Sequence, residues 1–123
     1  MIKKERPVLS DLIKDGTSEI EKFQNEVLRP IIKMQHHLLI RLFKQYLIKR
    51  KVAFADLNDK KKRSKISSVF KTDNNYKNIN LGIIIGHFSS DEFGFYAENS
   101  SEINRRILQI ITQRIKDSLL EIV

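Results

Sequence analysis

Three histidines, one Arg–His pair and a block of cations are the residues in this 123-residue chain with types and spacings suited to chemistry. His36 and His37 are adjacent. On a helix they would point about 100° apart, so they are not expected to share a metal ion as histidines four apart can. His87 is distant in sequence, and no metal ligand set is assigned. Arg29 and His36 lie seven residues apart, on one face of a helix, where a guanidinium could hold a phosphate and an imidazole could move a proton. The same spacing arises readily by chance, so the pair is only a remote catalytic candidate. No nucleophile elbow, phosphate loop, dinucleotide fingerprint or paired carboxylate motif is present, and neither cofactor nor small-molecule substrate is implied.

The cations carry more weight. Net charge is +8, and residues 1–71 hold 18 Lys/Arg against 8 Asp/Glu, whereas residues 72–123 hold 5 against 7. Arg41 to Lys71 alone contains 11 basic residues against Asp56 and Asp59. Lys49, Arg50 and Lys51, then Lys60, Lys61, Lys62, Arg63 and Lys65, are therefore the candidate anion-binding residues, with RNA or DNA phosphates as the natural polyanion. Phe54 is the one aromatic among them, and no RNP motif or zinc pattern accompanies them, so little base readout is expected. The competing account is a solvated, lysine-rich surface. Lys60–Arg63 fall at the start of a helix, where the macrodipole disfavours positive charge. Either that turn frays or an anion relieves it.

Positioning these residues falls to a set of helices. Ile20, Phe23, Val27, Ile31, Met34, Leu38 and Leu42 recur at steps of three and four, with Leu28, Ile32, Leu39, Phe43 and Tyr46 as a second row beside them. This predicts one long helix over 18–51, capped by Ser18 with Glu21 at capping-box spacing. Pro30 removes a backbone donor inside it, so a kink or a break is expected near Glu26–Arg29. Asp56 or Asn58 can cap a basic helix over 57–71, and Asp73 can cap another over 74–88.

That second segment contains the main ambiguity. Asn80 to Phe88 reads as a helix with Gly82 and Gly86 forming a packing notch, or as half of a hairpin over 79–98 in an α+β fold. The helix is preferred because Ser89 and Glu92 have the spacing of a following cap, opening a short helix over 90–98. Ile103, Ile107, Ile111, Ile115 and Ile122 mark a C-terminal helix over 101–121, on whose apolar side Asn104 needs a hydrogen-bond partner. Residues 1–16 form an arm with a short apolar helix that should fold back on the long one.

Leu81-Gly82-Ile83-Ile84-Ile85-Gly86-His87-Phe88, Phe95-Tyr96, Glu98-Asn99 and Glu102-Ile103-Asn104-Arg105-Arg106-Ile107 resemble the corresponding stretches of a group of short uncharacterised bacterial proteins, some of which carry the label "glyoxalase". The resemblance implies a helical fold and no established activity. The label itself finds no support, because the glyoxalase superfamily uses paired βαβββ units with a metal held by His and Glu on strands. Separately, Arg29 and His36 are compatible with the loose Arg-x6-His signature of HEPN-type metal-independent ribonucleases, although Pro30 departs from the polar neighbour usual there.

The chain therefore reads as one all-α domain of 123 residues, a small bundle built around the long kinked helix. No apolar run approaches the ~20 residues of a membrane span. Lys3, Lys4 and Arg6 are not followed by a signal-peptide core, and cysteine is absent, so a cytoplasmic location is expected. Two function classes follow: a non-enzymatic interaction module, expected to form a homodimer, or a basic accessory protein that docks on RNA or DNA through Lys49–Lys65.

Overall fold

A computed structural model describes residues 18–122, so the expected N-terminal arm lies outside the described residues. Among them the fold is a compact all-α bundle without strands, which excludes the hairpin over 79–98. In chain order, α1 spans Glu19–Phe23, a π-helical turn Gln24–Leu28, α2 Arg29–Met34 and α3 His36–Lys49. Next come a 3-10 turn Phe54–Asp56, α4 Asp59–Thr72, α5 Asn74–Ile85, α6 Ser90–Glu98, α7 Ser100–Lys116 and a second 3-10 turn Leu119–Glu121.

The helix starts follow from short-range hydrogen bonds. Ser18 Oγ accepts from the Glu21 amide at 2.9 Å, Asn58 Oδ1 from the Lys61 amide at 2.8 Å, and Asp73 Oδ1 from the Tyr76 amide at 3.0 Å. At α6 the capping box is complete, with the Ser89 amide donating to Glu92 and the Glu92 amide to Ser89 Oγ.

Proline 30 produces the expected irregularity as a π turn. The Arg29 amide donates five residues back to Gln24 O, and Pro30, which has no amide to offer, falls in the first turn of α2, where none is needed. The wider turn inserts residues into the helix and rotates its buried face. Phe23 is buried before it and Val27 and Leu28 within it; after it the buried residues are Ile32, Leu39, Ile40, Phe43 and Leu47. In the other row Met34 (60%) and Leu38 (47%) are exposed, while Ile31 and Leu42 pack partly buried against the core. The expectation that Met34 and Leu38 belong to the core stripe is thus corrected. Lys22 is buried despite its charge and pairs with Glu26 at 2.6 Å. A second break at Gln35 (φ −95°, ψ 15°) separates α2 from α3.

The centre of the bundle is α7. Ile103, Ile107, Ile111 and Ile115 are fully buried, and α7 packs against the π turn and every helix from α2 to α6. The long first helix forms one wall of the bundle, meeting α7 through the π turn, α2 and α3, and α4 and α5 cover the Ile stripe from the other sides. Phe43, Tyr46, Phe54, Phe70 and Tyr76 form an aromatic cluster between α3, α4 and α5, with Phe43–Phe54 and Phe70–Tyr76 meeting edge to face. Asn104 finds its partner on α6, accepting from Tyr96 Oη at 2.8 Å.

The glycine notch is not a packing site among the described residues. Gly82 and Gly86 are both exposed, and a Cβ at Gly82 would meet nothing within 4 Å. Helix α5 turns Tyr76, Asn80 and Ile84 to the core instead, so its glycines face away from every neighbouring helix.

Candidate functional site

The basic block divides into cations engaged inside the fold and cations left to solvent. Helix α3 closes with a Schellman motif: the Lys51 amide donates to Ile48 O at 3.0 Å and the Val52 amide to Leu47 O at 2.9 Å, with Lys51 in the left-handed region at φ 56°. This reverses the chain next to Arg50, whose Nη2 pairs with Asp73 at 2.8 Å while its guanidinium lies 5.3 Å from the Tyr46 ring centre. Lys62 stands 5.6 Å from the centre of the Phe54 ring. The Tyr76 amide bond, with Tyr46 and Arg50 adding to it, holds the Asp73 carboxyl below its usual range. Lys49, Lys51, Lys60, Lys61 and Arg63 are exposed and Lys65 half-buried, and none makes an ion pair with a described residue.

The first turn of α4 is helical from Asp59 onward. Asn58 caps it and Asp59 places a carboxylate against the dipole, so part of the relief expected from an anion comes from within the chain. Lys60, Lys61 and Arg63 are thereby displayed on an ordered turn.

A second cluster joins α3, α7 and the C-terminal 3-10 turn. Arg114 Nη1 lies 3.2 Å from His36 Nδ1, and His36 Nε2 lies 2.9 Å from Glu121 Oε1. A guanidinium can only donate, so Nδ1 is the acceptor and Nε2 carries the hydrogen that points to Glu121. Both ring nitrogens are therefore spent inside the protein.

His37 adds a further ligand atom. With His36 and Glu121 it brings one nitrogen or oxygen each to within 4.8 Å of the others, which corrects the expectation that adjacent histidines diverge too far. The rings meet edge to face at 5.3 Å on the first turn of α3. The donor set does not fit a metal as it stands. An ion on His36 Nε2 would require the hydrogen at Nδ1, directly facing the Arg114 donor.

Arg29 lies apart from this imidazole. It lines a cleft of about 580 Å³ with Gln109, Gln113 and Arg114, and an adjoining one of about 360 Å³ with Asn25, Lys33 and Arg114. His36 lines neither, so the Arg29–His36 pair meets only through Arg114, which touches both surroundings. Sequence reading passed over Arg114 and Glu121. The available signal was position: Arg114 directly precedes Ile115 and follows Ile111 by three, at the margin of the buried stripe. A third, more apolar pocket of about 260 Å³ lies between Leu47, Ile48, Val52, Phe54 and Ile122.

No described helix is long and apolar enough to cross a membrane. Compared with protein-family models, curated proteins and solved structures, the chain matches none.

Proposed function

We propose that the protein is a helical, polyanion-binding accessory module that takes nucleic-acid phosphates on Lys49, Lys51, Lys60, Lys61, Arg63 and Lys65. The observation that supports this reading is the ordered first turn of α4, which presents Lys60, Lys61 and Arg63 to solvent without an acidic partner beyond Asp59 in the same turn. Arg50 and Lys62 belong to the fold, through Asp73 and Phe54, and contribute less. Contacts of this kind neutralise phosphates, release counterions and carry little sequence information. Size-exclusion chromatography with light scattering, at low and high salt and read at 260 and 280 nm, tests it. Nucleic acid that co-elutes at low salt and is stripped at high salt is the expected result, lost on reversing Lys60, Lys61 and Arg63 to Glu. Absence of nucleic acid at low salt, with added single- or double-stranded oligonucleotide also failing to bind, overturns it.

Self-association is the second reading, favoured by one observation. Ile31, Met34, Leu38 and Leu42 form a row at steps of three and four, with Met34 and Leu38 open to solvent. A homodimer through this row would be indifferent to salt and broken by Met34→Lys with Leu38→Lys. Neither reading calls on chemistry from the Arg114–His36–Glu121 chain.

A further inference from the structure

The groove between the π turn with α2 on one side and α7 on the other has no role in either reading. We propose that it is a binding site for a phosphate group, held by Arg29 and Lys33 from one wall and Arg114 from the other. The two adjoining clefts share Arg29, Ile110 and Arg114 and so form one continuous depression. The π turn makes it: Val27 and Leu28 stay buried while Arg29 emerges exposed at the rim, and Lys33 follows one turn on along the same face.

The donors are present and only partly committed. Arg29 spends only its Nε, in a 3.3 Å bond to Asn25, which leaves both terminal amino groups of its fork. Lys33 is exposed and makes no ion pair with a described residue. Arg114 Nε is buried with no hydrogen-bond partner, while its Nη1 is anchored on His36. A buried guanidinium donor left unsatisfied is costly, and the residue that carries it lines both clefts. Gln109 takes a bond from Arg105 through Oε1 and retains its amide donor.

The acidic residue lining the groove is Asp117, whose Oδ1 already accepts from Gln113 at 3.0 Å. Three cations against one engaged carboxylate favour an anion of more than one charge, and two planar forks set across a depression suit a tetrahedral oxyanion with several acceptor oxygens. His36 lines neither cleft, so the proposed site calls on binding by the three cations and not on this imidazole. The inference is independent of the surface on α4.

The phosphate can belong to a small phosphorylated molecule or to a nucleic-acid backbone, and calorimetric titration separates the two. Inorganic pyrophosphate, a short single-stranded oligonucleotide and, as control, sodium sulfate at matched ionic strength are titrated into the wild type, Arg29→Gln/Lys33→Gln, and a variant with Lys60, Lys61 and Arg63 reversed. The expected result is pyrophosphate binding that exceeds sulfate binding, weakens at least about tenfold in Arg29→Gln/Lys33→Gln and persists in the α4 variant. Oligonucleotide binding with the same dependence on Arg29 and Lys33 would assign the phosphate to nucleic acid; its absence would assign it to a small molecule. Pyrophosphate binding that is absent, equal to that of sulfate or unchanged in Arg29→Gln/Lys33→Gln overturns the site. Both substitutions are at exposed positions, and an unchanged melting temperature confirms that the fold is intact.

Discussion

Arg114 and His36 are joined across the bundle by a 3.2 Å contact in which a guanidinium donates to the Nδ1 lone pair of an imidazole. That contact sets the tautomer, directs Nε2–H to Glu121 at 2.9 Å, and so fastens the C-terminal 3-10 turn to the start of α3. Ser118, whose Oγ donates to Arg114 O at 2.7 Å, closes the same corner from within. His36→Ala should cost about 1–2 kcal/mol, because it removes one bond and leaves a half-buried guanidinium less satisfied. In a double-mutant cycle with Glu121→Gln, followed by urea unfolding, the two effects should fail to add, by about 0.5 kcal/mol or more. Additive losses would show that the three side chains do not act as a chain.

Rotation of the buried face at the π turn separates two apolar rows that look equivalent in sequence. Ile32→Ala and Leu39→Ala should each cost about 2–5 kcal/mol, since both side chains are fully enclosed. Met34→Lys and Leu38→Lys should change monomer stability by no more than about 0.5 kcal/mol. Chemical denaturation of the four variants checks this at low protein concentration, where any self-association is suppressed. Equal losses in both pairs would restore the unrotated face.

Lys51 occupies the left-handed position of a Schellman motif at φ 56°, where a Cβ is strained and glycine is not. Lys51→Gly should raise stability by about 1 kcal/mol and move the thermal midpoint upward. It should also remove one phosphate contact, so nucleic-acid affinity falls while the fold gains. A drop in thermal midpoint would show that the Lys51 side chain contributes more than its backbone costs.

Glu102 bridges two cations on α7, with Arg105 Nη2 and Arg106 Nε each 2.7 Å from its Oε2. Hydrogen bonds from Arg105 and Arg106 hold its carboxyl down at about 2, against 4.5 for an unperturbed glutamate. A folded-state value below the unfolded one means the native state resists protonation. The stabilisation is fully present above about 4.5 and is lost as pH falls toward 2. Asp73, lowered by its cap bond to the Tyr76 amide and by Tyr46 and Arg50, acts in the same direction. Thermal midpoints measured across this acidic window should therefore fall less steeply for Glu102→Gln than for the wild type. Parallel curves would remove Glu102 from the acid response.

What the sequence by itself determined were the features whose hydrogen bonds close within a few residues. Ser18, Asn58, Asp73 and Ser89 with Glu92 are caps that depend only on their own next three residues, and the Ile stripe of α7 repeats at the helical period. These were enough for an all-α fold and for most helix starts. Pro30 announced an irregularity, since a missing amide is a local fact. Whether it became a kink, a break or a π turn depended on which apolar row could be buried against α7, a competition between two faces of similar hydropathy. Only the tertiary structure decided that outcome. It also decided that α7, and not the longer first helix, is the centre, because burial depends on how many neighbours cover a face and not on the length of the helix that carries it. The same holds for the groove. Arg29 and Arg114 have no local relationship in the chain, and they share one surface only because the π turn raises one beside the helix that carries the other.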